Sequence, residues 1–173
     1  MADSDLIQIV DENDNPIGIA TRGEAQKKGL LHRIARIIVY DENGNVLLQK
    51  RSSSRPTWPN CWDNSAAGHV DIDDDYLIAA QRELKEELGV EGTLEKVAYY
   101  KAEGEHEGRM FNRFTTVFKT VLPSNTHFSP QEDEVSEVRW FSLDELKELV
   151  ENSPHKVTYG VKDTLKYILH SWK

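Results

Sequence analysis

The spacing of apolar and polar positions changes along this chain, and each change marks an element. Leu6 to Val10 alternates weakly, Asp11-Glu12-Asn13-Asp14-Asn15 is rich in turn formers, and Pro16 to Ala20 is apolar again, which predicts a β-hairpin. Thr21 suits the cap of a short helix carrying Glu24, Ala25, Lys27 and Lys28, closed by Gly29. Ile34 to Tyr40 is dense in β-branched residues, and after an Asn43-Gly44 turn Val46 to Lys50 returns as its partner. From Tyr76 the period becomes helical. Leu77, Ala80, Leu84 and Leu88 predict one buried stripe, with Asp75 as N-cap and Gly89 as the stop.

Farther on, Thr93 to Ala102 and Met110 to Val121 predict a long antiparallel pair around a loop over residues 103–108, and Glu134 to Phe141 reads as the last strand. Ser142 to Glu145 is a capping box, with Phe141 and Leu146 placed as a hydrophobic staple, for a helix ending near residues 152–154. A final amphipathic helix is expected from about Gly160 to Trp172. The mixture predicts a mixed β-sheet with the helix after Tyr76 on one side and the C-terminal helices on the other, an α/β/α sandwich of the α/β class.

Bulk properties narrow the function. A chain of 173 residues has room for one domain with a real core, so residues 1–173 are read as a single domain with 1–31 as an N-terminal hairpin and helix extension. A net charge of −9, with no basic run to offset it, argues against a nucleic-acid surface. A phosphorylated small molecule would therefore need local cations, either a metal ion or nearby arginines. The single cysteine, Cys61, excludes an intrachain disulfide and fits a reducing compartment, with the cytoplasm as default. No apolar run approaches membrane-spanning length, and the stretch MADSDLIQIV lacks a basic segment followed by an apolar one, so no membrane partner is expected. A homodimer is compatible with this composition.

Beside the helical stripe lie Glu83, Glu86 and Glu87, spaced so that all three carboxylates project from one side. Like charges at that spacing cost about 0.2–0.5 kcal/mol per pair in an isolated helix, and a hard divalent ion would offset the cost. Three acids on a helix are more often a solvated face, so the flanking residues decide. Gly68, an acid at Asp74, then Arg82-Glu83-Leu84-x-Glu86-Glu87-x-Gly89-Val90 resembles the Nudix box over residues 68–90. Where that family usually has glutamate this chain has Asp74, and the glycine often found just before it is Asp73.

The resemblance implies the Nudix fold and hydrolysis of a diphosphate linkage, in a nucleoside diphosphate derivative or a related organic pyrophosphate, assisted by Mg2+ with Mn2+ as an alternative. It implies Glu86 and Glu87 as metal ligands, Glu83 as ligand or base, the Gly68 carbonyl completing the site, and Arg82 and Asp74 in support. Arg82 stands four residues before Glu86 and is expected to pair with it. Substrate recognition falls outside the box. Arg51 and Arg55 are placed to take phosphate, and Trp58 or Trp62 to stack on a base, with loop packing the alternative role for both tryptophans. His69, directly after the motif glycine, is a candidate for metal or phosphate contact. The family often recruits a base from a distant loop, and here Glu134 leads, with Glu132 on the same side of an extended segment. Repulsion among Glu132, Asp133 and Glu134 is expected to raise one of their pKa values.

A narrower likeness covers most of residues 6–90. Gly29 to Arg33, Leu47 to Arg51, Trp58-Pro59, Trp62 and Gly68-His69 look like the Nudix branch that includes type I isopentenyl-diphosphate isomerase. Those isomerases carry a cysteine just before the Gly/Ser-His pair, where this chain has Ala67, and acids in a later strand that here reads Met110-Phe111-Asn112-Arg113-Phe114. His32 and His69 are kept. Three functions stay open: a diphosphate hydrolase, an isomerase, and a binding module that keeps the fold with a weakened site.

Overall fold

The computed structural model describes residues 3–168. Its first elements are β1 (Leu6–Val10), β2 (Pro16–Thr21) and α1 (Arg22–Lys28), the last capped by the Thr21 hydroxyl and stopped by Gly29 in the left-handed conformation. Strands β3 (His32–Tyr40), β4 (Val46–Arg51), β5 (Trp62–Asp63) and β6 (Ala66–His69) follow, then helix α2 (Tyr76–Leu88). The chain continues through β7 (Glu95–His106), β8 (Arg109–Val121), β9 (Val135–Phe141), α3 (Leu143–Asn152), a short 3-10 turn over Pro154–Lys156, and α4 (Tyr159–Ile168). The part of the last predicted helix that reaches Trp172 lies outside the described residues.

Among the described residues the nine strands form one mixed sheet. β3 is its hub, antiparallel to β1, β4 and β6 and parallel to β8, which in turn pairs with β7. Side chains alternate across β3 and so feed two cores. Ala35, Ile37 and Val39 join Ala79, Ala80, Leu84 and Leu88 of α2 on one face; Ile38 and Tyr40 join Leu146, Val161 and Leu165 of α3 and α4 on the other. The α/β/α layering read from the sequence is the one observed. Burial of Leu84 and Leu88, each at 1% exposure or less, contributes about 1.5–3 kcal/mol apiece.

Three local readings need correction. Leu77 is 40% exposed, because α2 is turned so that Ala79-Ala80, Glu83-Leu84 and Glu87-Leu88 face the sheet. That rotation carries two carboxylates inward. The region 103–108 is not a loop: β7 runs on to His106, and a two-residue turn at Glu107 (φ 51°) and Gly108 (φ 76°) joins it to β8. Gly104 sits within the strand because the Phe111 ring lies over it, where a Cβ would come within 2.5 Å of the ring. Finally, β5 and β6 escaped the sequence reading, since their short runs have little β-branched content and are held by pairing with β4 and β3.

The N-terminal hairpin is tied to the start of the box helix. Asp14, at its turn, accepts from Arg33 Nε at 2.7 Å, from the Tyr76 hydroxyl at 2.9 Å and from the Tyr99 hydroxyl at 3.0 Å. No helix among the described residues is long and apolar enough to cross a membrane.

Candidate active site

A cleft of about 680 Å³ opens between the sheet, α2 and α4. Glu87, 6% exposed, points from α2 into its wall, where it accepts from Gln49 Nε2 at 2.8 Å and from the Ala67 backbone N–H at 3.0 Å. Glu83, also 6% exposed, lies against Gly68 so closely that a Cβ there would come within 2.1 Å of its carboxylate. This is the physical need for glycine at that position. Glu86 stays at the rim, its side chain 55% exposed.

Arg82 organises the approach to the helix. Its Nη1 donates to Glu83 Oε1 at 2.6 Å and its Nη2 to the His69 carbonyl at 3.0 Å, while Asp71 lies at 3.1 Å, Glu86 at 3.6 Å and Asp74 at 3.8 Å. The expected pairing with Glu86 exists, but Glu83 is the closer partner. Asp74 itself does not line the cleft; it stands behind Arg82. Asp73, in the position where the box often has glycine, has φ 69°, a left-handed conformation that glycine adopts without cost.

Burial pushes the Glu83 carboxyl up to about 7, with the charges of Glu86 and Glu134 adding to it and Arg82 opposing. Glu87 is raised well above the usual range, by burial first and then by the charge of Glu83. Two buried carboxyls that repel one another are an arrangement that a bound cation would relieve. Among the described residues no three His, Cys, Asp or Glu side chains form a ready-made metal cluster. The donors at hand are carboxylate oxygens, a set that fits a hard divalent ion and not a thiolate- or imidazole-preferring one.

Of the remaining sequence-derived candidates, Arg51, Arg55, Trp58, His69 and Glu134 all line the same cleft. Arg51 is held there by Asp63 at 3.2 Å and the Thr57 carbonyl at 3.0 Å. Trp58, with φ 54°, stacks on His106 at 3.6 Å between ring centroids and meets Tyr159 edge-on at 5.0 Å. Glu134 is brought in by the loop that docks on the end of α2, where the Ser129 and Gln131 N–H groups donate to Leu88 and Glu87 carbonyls. Arg55 Nη1 sits 2.7 Å from its Oε1. Burial raises the Glu134 carboxyl, but cationic neighbours including Arg55 outweigh it and leave the group below its usual value. The expected upward shift within the acidic loop is thus reversed at Glu134 and found instead at Glu83 and Glu87.

Glu132 is exposed and outside the cleft, Trp62 packs against Phe141 at 5.0 Å, and His32 is buried beneath His69, with the rings stacked at 5.2 Å. Burial draws His32 down to about 4 and His69 well below its usual value, so both are neutral at pH 7. Sequence reasoning missed Gln49, Arg22, Arg36, Arg109, Arg113, His106 and Tyr159, which also bound the cleft or hold its carboxylates. They lie on six different elements, so only the cleft itself groups them.

Comparison with known proteins adds a family. A family model described as NUDIX domain matches residues 30–159. The chain is 31% identical to isopentenyl-diphosphate Delta-isomerase 2 of Photorhabdus laumondii, over 91% of this chain and 89% of that protein. It is 33% identical to the uncharacterized Nudix hydrolase YfcD of Escherichia coli, over 84% of this chain and 78% of that one. In fold it is similar to the crystal structure of DR0079 from Deinococcus radiodurans, with a TM-score of 0.75 at 19% identity, covering 98% of this chain and 100% of that chain.

Proposed function

Because the chain belongs to the NUDIX-domain family, we propose that it is a metal-dependent hydrolase that cleaves the diphosphate linkage of a nucleoside diphosphate derivative or a related organic pyrophosphate. The observation that carries this reading is the buried Glu83–Glu87 pair at the foot of a cleft rich in arginine, in a protein whose net charge is −9. Mg2+, or Mn2+ in its place, would be held by Glu83, Glu87 and Glu86 with the Gly68 carbonyl, and would supply charge neutralisation at the phosphate oxygens.

The chain's own residues do the rest. Arg82 orients Glu83 and ties the loop before α2 to the helix; Gln49 and the Ala67 N–H fix the Glu87 carboxylate. Arg55 meets both Glu134 and the cleft. A phosphate oxygen that draws Arg55 away would relieve Glu134 of one cationic neighbour, raise its proton affinity and ready it as the base toward an attacking water. Trp58, His106 and Tyr159 offer aromatic faces to a base or other flat group.

The isomerase relatives make prenyl-diphosphate isomerisation the second reading. Ala67 carries no group that donates or accepts a proton, and the later strand presents Arg113 to the cleft where those enzymes have acids, so an acid and a base on opposite faces of an alkene are not supplied. A screen of organic diphosphates with Mg2+, scored for phosphorylated products, tests the first reading, and isopentenyl diphosphate in the same screen tests the second. Hydrolysis without dimethylallyl diphosphate is the expected result. Dimethylallyl diphosphate above the no-enzyme control would reverse the order of the two readings, and the absence of any product would favour a binding module.

A further inference from the structure

Beyond the carboxylates the cleft runs toward the first turn of α4, and there it gathers positive groups. The charges of Asp63 and Asp163 reach Arg113, but neither makes an ion pair with it, and Asp163 is paired with Lys166 at 3.1 Å. Arg36 on β3 is 3% exposed, and its Nε and Nη1 meet no hydrogen-bond acceptor. Arg113 on β8 likewise has a buried Nε without an acceptor, and its guanidinium lies over the Phe111 ring at 4.7 Å. Neither has an ion-pair partner among the described residues. Asp63, whose charge reaches both, is already committed to Arg51 at 3.2 Å, the Thr158 hydroxyl at 2.8 Å and the Asn64 N–H at 2.9 Å.

The helix adds charge of the same sign. Gly160, in the first turn of α4, packs so tightly on Arg36 that a Cβ there would come within 2.0 Å of Nη1, and the amino end of a helix carries partial positive charge. Burial, and then repulsion from Arg36, draw Arg113 down to about 9. Two guanidinium groups and a positive helix end gathered in one buried place cost folding stability unless an anion completes them.

We propose that Arg36, Arg113 and the first turn of α4 form a second oxyanion subsite, which takes a phosphomonoester of the substrate set apart from the diphosphate at Glu83 and Glu87. Guanidinium forks and helix amides suit a tetrahedral group with several free oxygens better than a bridging phosphate with fewer. The subsite stands on its own geometry; only the description of its occupant as part of a diphosphate substrate rests on the hydrolase reading.

Titration calorimetry of inorganic phosphate into the metal-free full chain tests it, independently of any turnover. Saturable binding is expected in the wild type, weakened about tenfold or more by Arg36→Gln and by Arg113→Gln. Glu132→Gln should leave it within about twofold, because that carboxylate is exposed and outside the cleft. Phosphate binding that is lost only in Arg55→Gln, or is unchanged in both Arg36→Gln and Arg113→Gln, overturns the proposal. If those two variants do not fold, the arginine Nε–Hε NMR signals of the wild type decide. Saturable shifts of Arg36 and Arg113 on adding phosphate support the subsite, and their absence sinks it. An inactive enzyme that still binds phosphate through these arginines would discard the hydrolase reading and keep the subsite.

Discussion

Replacing Glu83 by glutamine tests whether the buried carboxyl pair is electrostatically frustrated in the metal-free protein. Glu83 has a carboxyl raised from the ordinary 4.5 to about 7, chiefly by burial. A carboxyl with a higher pKa when folded binds more protons in the folded state, so its contribution is fully present below 4.5 and is lost as pH rises through about 7. The span between those two values corresponds to roughly 3 kcal/mol, and Glu87 shifts in the same direction. Glu83→Gln removes the first share without stranding Arg82, which keeps Asp71 at 3.1 Å and the His69 carbonyl at 3.0 Å. In calorimetry with EDTA, the two proteins should melt alike near pH 5, and the variant should melt higher above pH 8. At about 2–4 °C per kcal/mol for a chain of this size, the gap is on the order of 5–10 °C. The variant serves as the reference because His32 and His69, neutral when folded, also titrate below about pH 6.5 and cancel in the difference. Saturating Mg2+ should raise the wild type at high pH and the variant much less. A melting difference that stays flat from pH 5 to 9 would refute the reasoning, since it would mean that Glu83 is ionised at no cost.

Glu87→Gln keeps the shape and its two hydrogen-bonding neighbours but removes the charge; hydrolysis should fall about 100-fold while the melting curve shows an intact fold, and near-wild-type turnover would remove Glu87 from the metal site. Gly68→Ala places a methyl within 2.1 Å of the Glu83 carboxylate and should cost about 1–3 kcal/mol in denaturant unfolding, together with most of the activity. Asp73→Gly relieves a φ of 69° and should add up to about 1 kcal/mol, measured the same way, while Asp74→Glu brings a longer carboxylate to Arg82 Nε, now 3.8 Å away, and should keep or raise kcat. Glu134→Gln should lower kcat with metal affinity unchanged, whereas Glu132→Gln should stay within a few-fold, and the reverse order would reassign the base.

Local rules were enough for most elements of this fold. Both helix stops at glycine, the Thr21, Asp75 and Ser142 caps, and the β-branched run of β3 are decided within a few residues, because caps and strand preference depend on neighbours in sequence. The box motif likewise exposed Glu83, Glu86, Glu87 and Gly68, since one helix and the strand before it carry them all. Tertiary structure decided the rest. Whether Leu77 or Glu83 faces the sheet is a choice between two faces of one helix, and it was settled by the Gly68 contact and the hydrogen bonds from Gln49 and Ala67. The downward Glu134 shift owes part of its sign to Arg55, which lies nearly half the chain earlier in sequence but which folding places at 2.7 Å. The unpartnered Arg36 and Arg113 sit on β3 and β8, strands that only a parallel pairing brings side by side. Charge and burial act through space, and a linear pattern records only what is close along the chain.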